Sequence, residues 1–150
     1  LSEIFEEVRE AVEHLIRKKG LTINVIHHQT KEPISTDPNL LKILMQCLLE
    51  NAVKYSHEHT QIEVTLKIEH GEIIISVKDE GIGIPKSELG SIMEKNYRAS
   101  NVISTEDQGS GLGLYIVNQI ITKVLSGEIL IESELNKGSK FTIKIPLNSK

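Results

Sequence analysis

Hydrophobic residues recur at helical spacing in three stretches of the chain. The first covers residues 4–16, and Gly20 is placed to cap its C-terminal end. The second covers residues 40–55 and follows Asp37-Pro38, an N-cap residue with proline at the first helical position. The third has its apolar face between Leu114 and Leu125 and ends at Gly127. The residues of this face are Leu114, Val117, Ile120, Ile121, Val124 and Leu125.

Shorter apolar stretches predict five strands, at residues 21–26, 62–68, 73–77, 129–131 and 141–145. His70-Gly71 and Asn136-Lys137-Gly138 are turn sequences, so the second and third strands and the last two strands form hairpins. Residues 85–92 predict a short helix. The resulting order predicts an α+β fold, a two-layer α/β sandwich with one mixed five-stranded sheet, helices packed on one face, and a lid.

Composition narrows the class of protein. A length of 150 residues predicts a single domain with one core. The net charge of −4 and an aromatic content of 3% without Trp argue against a nucleic-acid surface or an anionic-membrane surface. The single cysteine, Cys47, excludes an internal disulfide and fits a reducing compartment. No apolar run reaches the roughly 18–20 residues of a membrane span, so we expect a cytoplasmic domain, free or as the cytoplasmic part of a membrane-bound sensor.

The stretch from Val77 to Pro85 carries the first chemical signal. Asp79 follows a buried strand, and a carboxylate there needs a partner because burying it alone is costly. Gly81 and Gly83 permit a tight turn and the close approach of a ligand. The stretch therefore predicts an acceptor carboxylate at the floor of a cleft. The alternative is a strand that ends in a glycine turn, with Asp79 as its cap.

A second signal is a polar stripe beside the apolar face of the second helix. Cys47, Asn51, Lys54 and Tyr55 are spaced by three or four residues and therefore share one side of the helix. An amide and an ammonium group next to the core face indicate a binding site. The alternative is a solvated flank of the helix.

A long polar stretch, residues 94–110, lacks periodicity and predicts a lid. It leads into Gly109-Ser110-Gly111-Leu112-Gly113, whose free N–H groups at a helix start can bind an anion, although the Lys and Ser/Thr of a Walker loop are missing. Together with the other signals this predicts a nucleotide site. Asp79 can accept from the adenine amino group, whereas the guanine carbonyl would face it as a second acceptor. Asn51 offers Mg²⁺ a neutral oxygen, and Lys54 and Arg98 can meet phosphate charge.

These motifs, in this order, resemble the ATP-binding catalytic domain of sensor histidine kinases, within the fold shared with gyrase B, MutL and the large heat-shock chaperones. Residues 48–55 (Leu-Leu-Glu-Asn-Ala-Val-Lys-Tyr) resemble the N box, and residues 79–85 and 109–114 resemble the two glycine boxes. Residues 138–142 (Gly-Ser-Lys-Phe-Thr) are similar to the closing strand of the family. Residues 96–100 (Asn-Tyr-Arg-Ala-Ser) resemble the lid motif of the kinases rather than that of gyrase or the chaperones.

The resemblance implies that ATP binds between the Asn51 helix and the lid, with Asp79 reading adenine, Asn51 holding Mg²⁺ and Tyr55 flanking the base or sugar. It implies catalytic roles for Asn51, Lys54 and Arg98. The nucleotide-binding residues that it implies are Asn51, Lys54, Tyr55, Asp79, Gly81, Gly83, Ile84, Tyr97, Arg98, Gly109, Ser110, Gly111, Leu112, Gly113, Leu114 and Thr142. It also implies two partners, a histidine-bearing dimerisation domain that receives the γ-phosphate and the receiver domain of a response regulator.

The chain departs from the family pattern at two places. Cys47 stands where the family carries Asn, or Glu in the wider fold, and a soft thiol suits Mg²⁺ poorly. Cys47 could instead be a small core residue. In the lid motif, Ile92, Met93 and Asn96 replace aromatic residues.

No acceptor histidine is evident, because His14 lacks the expected proline pattern and His57 falls in a turn. We therefore expect residues 1–150 to be one ATP-binding catalytic domain, with the acceptor domain absent from this chain. Two other functions stay open. One is a nucleotide-binding regulatory module without kinase activity, and the other is an anti-sigma-type serine kinase on the same fold.

Overall fold

The computed structural model describes residues 1–28, 31, 33–95, 97, 99 and 112–147. The helices and strands follow the predicted order. They are α1 (Ser2–Lys18), β1 (Thr22–His27), α2 (Pro38–Tyr55), β2 (Gln61–Glu69), β3 (Glu72–Lys78), a 3-10 helix (Lys86–Glu88), α3 (Gly113–Gln119) continued by a π-helix (Ile120–Val124), β4 (Glu128–Glu134) and β5 (Gly138–Pro146).

The five strands form one mixed sheet in the order β1-β2-β3-β5-β4. The β1 and β2 strands are parallel, and the other three pairs are antiparallel. In the β2–β3 turn, His70 and Gly71 have φ values of 53° and 76°, the left-handed pair that a tight hairpin turn requires. The predicted α+β fold and both predicted hairpins are confirmed.

The core lies between one face of the sheet and the helices. Alternate residues of β2, β3 and β5 are buried, and together with α1, α2 and α3 they form a single cluster. Its largest fully buried side chains are Phe5, Leu41, Leu44, Met45, Leu48, Leu49, Ile62, Leu66, Ile73, Ile75, Ile121 and Ile143. The period of two in the strands and the apolar faces of the helices therefore meet as the sequence predicts.

Local capping signals also behave as predicted. Asp37 accepts a hydrogen bond from the main-chain N–H of Asn39 at 2.8 Å, and Pro38 is the first residue of α2. At the end of α1, Gly20 has a φ of 63°, and its N–H donates to the carbonyl of Arg17 while the N–H of Leu21 donates to that of Ile16. This is the Schellman arrangement of a glycine-capped helix.

Two predicted elements differ from the structure. Residues 85–92 contain only three residues of 3-10 helix, not a longer helix. The third long helix changes to π geometry after Gln119, and the extra residue in that turn rotates the following positions. Val124, predicted to lie on the apolar face, is therefore 61% exposed, whereas Val117 and Ile121 are fully buried. The prediction for Val124 is wrong.

Candidate functional site

A cavity of about 310 Å³ lies between the C-terminal half of α2, the end of β3 and the start of α3. We call five lining residues of α2 the cavity wall: Cys47, Glu50, Asn51, Lys54 and Tyr55. We call four residues of the sheet side the cavity floor: Asp79, Gly83, Ser139 and Phe141. The other described lining residues are Ile82, Ile84, Ile92, Tyr97, Ala99, Gly113 and Leu114.

Asp79 is the buried ionisable group of the floor. Its side chain is at the end of β3 and the residue is only 4% exposed. Its main-chain N–H donates to the carbonyl of Ser139 at 2.9 Å, and its Oδ1 accepts from the N–H of Gly81 at 3.0 Å. Burial raises the pKa of Asp79 from 3.8 to about 6, against the opposing effects of the Gly81 and Ser139 N–H groups and of Lys19. The carboxylate is thus held ready for a hydrogen-bond donor.

The two glycines after Asp79 are in close contact with the backbone of other segments of the protein, which leaves no room for a side chain. A Cβ on Gly81 would lie 2.2 Å from the carbonyl oxygen of Tyr55. Gly83 has a φ of 67°, and a Cβ there would lie 2.1 Å from the carbonyl oxygen of Glu134. The sequence predicted that a ligand approaches these glycines closely. In the structure, the groups that approach them are the end of α2 and the β4–β5 hairpin. Gly113 is different, because a Cβ there would meet no atom within 4 Å among the described residues.

The turn after Asp79 is fixed from two sides by hydrogen bonds. The N–H of Ile82 donates to the carbonyl of Tyr55 at 3.2 Å, and its carbonyl accepts from the N–H of Asn136 at 2.7 Å. The N–H of Ile84 donates to the hydroxyl of Ser133 at 2.8 Å. These bonds join α2, the turn and the β4–β5 hairpin beneath the cavity.

The wall brings together the polar stripe predicted for α2. Asn51 and Tyr55 are half-buried, Lys54 is exposed, and the ammonium of Lys54 lies 5.4 Å from the centre of the Tyr55 ring. That distance is within the range of a cation–π contact. Cys47 is half-buried, and burial, with a smaller contribution from Glu50, raises the pKa of its thiol. All four residues of this stripe line the cavity.

Lys19, at the end of α1, holds the C-terminal end of α2. Its ammonium donates to the carbonyl of Val53 at 2.8 Å and to the carbonyl of Lys54 at 2.9 Å. Partial burial lowers the pKa of Lys19 against the raising effect of Glu58 and Asp79. A cation at the end of a helix satisfies carbonyls that have no partner within the helix. Lys19 thereby fixes the turn that presents Lys54 and Tyr55.

Other residues of the predicted site fall in different places. Tyr97 lines the cavity, and its hydroxyl donates to Glu88 at 2.6 Å, a bond that raises the pKa of the phenol. Neither Gly81 nor Leu112 is among the described lining residues. Arg98 and Gly109-Ser110-Gly111 lie outside the residues that the structure describes, as does most of the predicted lid.

The structure does not bring Thr142 to the cavity. Thr142 pairs with Ser76 of β3, and its neighbour Phe141 is the residue that lines the cavity. Because successive side chains of a strand point to opposite faces, Thr142 lies on the face away from the helices. Ser139, two residues before Phe141, shares the inner face and was missed. The alternation around Phe141 was the signal that could have identified it.

Glu50 was also missed. Its side chain lines the cavity next to Asn51 and accepts a hydrogen bond from the amide of Gln46 at 2.8 Å. Its position between Leu49 and Asn51 on an amphipathic helix makes it look like an ordinary exposed residue. Only the position of α2 against the sheet shows that it faces a cavity.

The residues present fit a purine nucleotide with its metal. The floor offers buried hydrogen-bond acceptors, and the wall offers an amide and an ammonium. At the start of α3, no atom of the described residues fills the space beside Gly113. The volume is at the lower end of ligand pockets, roughly 300–1,000 Å³. Among the described residues no group of three or more His, Cys, Asp or Glu could hold a metal alone.

The fold and cavity define a nucleotide-binding α+β domain. Residues 36–149 match the family described as "Histidine kinase-, DNA gyrase B-, and HSP90-like ATPase", and the chain belongs to this family. Similar proteins include the autoinducer 2 sensor kinase/phosphatase LuxQ of Vibrio vulnificus (strain YJ016), 40% identical over 141 residues, which are 89% of this chain and 16% of LuxQ. The signal transduction histidine-protein kinase ArlS of Staphylococcus haemolyticus (strain JCSC1435) is 32% identical over 148 residues, which are 93% of this chain and 32% of ArlS.

Solved structures agree with the family. The catalytic domain of histidine kinase ThkA, in a nucleotide-free form, has a TM-score of 0.83 at 27% identity, covering 98% of this chain and 92% of that chain. A structure of ThkA in complex with the response regulator protein TrrA has a TM-score of 0.80 at 24% identity, covering 99% of this chain and 40% of that chain. The resemblance to a histidine kinase ATP-binding catalytic domain is confirmed.

The chain spans about a sixth of the length of LuxQ and about a third of that of ArlS. It therefore matches one part of each of these longer proteins. In the described part of the chain, no helix is both long and apolar enough to cross a membrane.

Proposed function

We propose that this chain binds ATP with Mg²⁺ in the cavity and transfers the γ-phosphate to a histidine on a separate dimerisation domain, in two-component signalling. The observation that carries the proposal is the position of Asp79, a nearly buried carboxylate at the floor of a cavity whose opposite side carries Asn51 and Lys54. The membership of the ATPase family and the histidine kinases among its relatives support the same function.

At the floor, the carboxylate of Asp79 accepts a hydrogen bond from the amino group of adenine. The cost of burying the carboxylate is offset when a ligand donor reaches it, because hydrogen bonds to the charged form stabilise that form. A purine with a carbonyl at the same position would place two acceptors face to face. Tyr55 and Ile84 line the cavity beside this position and provide apolar surface for the base.

At the wall, the side chains of α2 handle the charged end of the nucleotide. The amide oxygen of Asn51 is a ligand for Mg²⁺, and the ammonium of Lys54 neutralises phosphate charge. Bound Mg²⁺ supplies charge stabilisation to the phosphates during transfer. The chain's own contribution is to position the nucleotide and exclude water, which is how most of the catalysis of phosphoryl transfer is achieved. We propose that Arg98 and the glycines at 109–111 complete the phosphate side.

The partners follow from the same proposal. We propose that residues 1–150 act as one catalytic domain, that a histidine-bearing dimerisation domain receives the phosphate, and that a response regulator takes it up afterwards. The complex of ThkA, a relative in fold, with the response regulator TrrA supports the last step. We further propose that the domain works in the cytoplasm, where ATP is available.

The test is phosphotransfer from γ-labelled ATP with Mg²⁺ to a dimerisation domain supplied as a separate protein. We expect acid-labile, base-stable label on that domain and none on this chain alone. Acid-stable label would instead support a serine kinase. Titration calorimetry with ATP–Mg²⁺, run in parallel, would contradict the nucleotide site itself if no binding were found.

One observation favours a second candidate, a nucleotide-binding regulatory module without kinase activity. Cys47 lines the cavity one helical turn before Asn51, where its thiol offers Mg²⁺ no hard oxygen. If the γ-phosphate is held too loosely for transfer, ATP binding would persist without any label on the dimerisation domain. Calorimetry and phosphotransfer together therefore separate the two candidates.

A further inference from the structure

Ser133, on β4, lies beneath the cavity floor and contacts three groups through one hydroxyl. Its Oγ accepts the main-chain N–H of Ile84 at 2.8 Å. The same oxygen is 3.0 Å from the carbonyl oxygen of Gly138 and 2.7 Å from the Oγ of Ser139. Ser139 is 8% exposed and lines the cavity, whereas Ser133 is not among the lining residues in the described part of the chain.

Either hydroxyl can donate in the contact between the two serines, and the neighbouring carbonyl of Gly138 favours one direction. A hydroxyl has one hydrogen to donate and two lone pairs to accept with. The carbonyl of Gly138 can only accept, so Ser133 gives its hydrogen there. Ser133 must then accept from Ser139 as well as from Ile84. The opposite direction would leave two oxygens, on Ser133 and Gly138, 3.0 Å apart without a hydrogen between them.

The consequence reaches the cavity through Ser139. Because its hydrogen is committed to Ser133, the Oγ of Ser139 has only lone pairs left for a ligand. It lies on the same floor as the carboxylate of Asp79, and its strand is bonded to Asp79 at 2.9 Å through the main chain. The floor therefore presents acceptors at two positions, and a ligand edge that fits both must donate.

We propose that Ser133 is a positioning residue that determines base specificity: it holds Ser139 as a pure acceptor, so that the floor selects an amino-bearing purine against one with a carbonyl at that place. This inference rests on the proposed nucleotide site. Ser139 meets the base directly, because a bridging water has both hydrogens and lone pairs and would not transmit the polarity. Without Ser133, the hydroxyl of Ser139 can rotate and donate to a carbonyl.

The test compares ATP with inosine triphosphate, which has a carbonyl where adenine has its amino group. Affinities of this chain are measured with Mg²⁺ by competition against a fluorescent ATP analogue. We expect Ser133→Ala to reduce the preference for ATP roughly three- to tenfold, the worth of one neutral hydrogen bond. Ser76→Ala is the matched control, since Ser76 is a buried serine on the other face of the same sheet, and it should leave the preference unchanged.

The ratio of the affinities for ATP and inosine triphosphate separates an effect on base specificity from an effect on packing. Ser133→Ala also leaves the N–H of Ile84 without its partner, which lowers stability and weakens both nucleotides alike. That effect cancels in the ratio. In the Ser139→Ala background, Ser133→Ala should no longer change the preference, because the group through which it acts is gone. An equal change in both backgrounds would overturn the proposal.

A second pair of variants covers the case in which Ser133→Ala fails to fold. Ser133→Thr and Ser133→Val have the same shape and differ in one hydroxyl. Thr should keep the wild-type preference and Val should lose it, and equal preferences in the two would count against Ser133. If the unmodified chain binds ATP but none of these variants changes the preference, this inference fails alone. If it binds no nucleotide, the proposed function fails with it.

Discussion

The cavity floor is held by main-chain hydrogen bonds from three segments of the chain, whereas the cavity wall is a row of side chains on one helix. On the floor, the main chain of Asp79 is hydrogen-bonded to that of Ser139. The turn that follows Asp79 is hydrogen-bonded to the main chain of both Tyr55 and Asn136. On the wall, the groups that line the cavity belong to side chains, and Lys54 is exposed to solvent.

This difference suits the two regions to different parts of the proposed nucleotide. In the function we propose, the buried floor recognises a flat, uncharged base by the direction of its hydrogen bonds, where small displacements are costly. In the same proposal the wall, which is open to solvent at Lys54, meets phosphates and a metal, whose charge acts over longer distances and tolerates adjustment. Changes at the floor should therefore be large and often structural. Changes at the wall should be smaller and affect rate more than affinity.

The largest effect is expected at Gly83. Gly83→Ala would place a methyl 2.1 Å from the carbonyl oxygen of Glu134 at a φ of 67°, and overpacking plus left-handed strain should lower the free energy of unfolding by about 3 kcal/mol or more. Gly113→Ala is the control, since its Cβ meets no atom of the described residues within 4 Å. It should leave unfolding within about 1 kcal/mol and weaken ATP instead. Urea denaturation with ATP titration measures both. Similar stability losses in the two variants would contradict the distinction.

The next effect concerns recognition by Asp79. Asp79→Asn keeps an oxygen for the N–H of Gly81 but turns an amide donor toward the cavity, where the adenine amino group is also a donor. We expect ATP affinity to fall roughly ten- to a hundredfold, the worth of a hydrogen bond to a charged group, while the circular dichroism spectrum stays native. Calorimetry that showed unchanged affinity would refute the assignment of adenine to Asp79.

The same variant should be more stable than the parent when no nucleotide is present. The pKa of Asp79 is about 6 in the folded chain against an ordinary 3.8, so ionisation of this carboxyl opposes folding once the pH rises above 3.8, and most strongly above pH 6. Well below pH 3.8 both states are protonated and the penalty is absent; it grows between pH 3.8 and about pH 6 and is then nearly constant. Asp79→Asn should therefore gain about 2–3 kcal/mol at pH 7 and almost nothing near pH 3. Urea titrations at the two pH values check this, and an equal gain at both would contradict it.

A smaller effect is expected at the base of the wall. Lys19→Met removes the ammonium from the carbonyls of Val53 and Lys54. The free energy of unfolding should fall by about 1–2 kcal/mol, since the site is only partly buried, and ATP affinity should fall by a few-fold as the last turn of α2 loosens. Lys18→Met, an exposed neighbour, should change stability by less than about 0.5 kcal/mol. Indistinguishable results from the two lysines would mean that Lys19 does not support the wall.

The smallest change in binding is expected at Cys47. Cys47→Asn should leave ATP affinity within a few-fold, because Mg²⁺ keeps water as ligands. It should raise phosphotransfer to a supplied dimerisation domain, because a hard oxygen near Asn51 holds the γ-phosphate more firmly. Melting temperature and transfer rate are measured on the same variant. A lower melting temperature without any gain in rate would show that Cys47 serves packing alone.

Much of the fold could be predicted because its signals are local. The cap at Gly20, the start of α2 at Asp37-Pro38 and the turn at His70-Gly71 each depend on residues a few positions apart. The polar stripe on α2 was predictable for the same reason, since helical spacing alone places Asn51 beside Lys54. Asp79 stood out because a buried strand leads directly into it.

Two kinds of error show where local signals end. Thr142 was assigned to the site and Ser139 was not, although one residue along a strand changes the face of the sheet. Val124 was assigned to the core, because a helical pattern gives no sign of the π turn that rotates it outward. Both errors concern which face of a strand or helix a residue lies on, and the contacts with neighbouring elements determine that face.

The sequence by itself determined the order of elements, the α+β class and the types of chemical group available to the site. Only the tertiary structure decided which groups meet. It placed Ser133 under Ile84, 49 residues away in sequence, and the ammonium of Lys19 on the carbonyl of Lys54, 35 residues away. It also showed that Gly83 accommodates the backbone of a distant hairpin. Such contacts depend on strand register and helix packing across the whole core, which no short stretch of residues encodes.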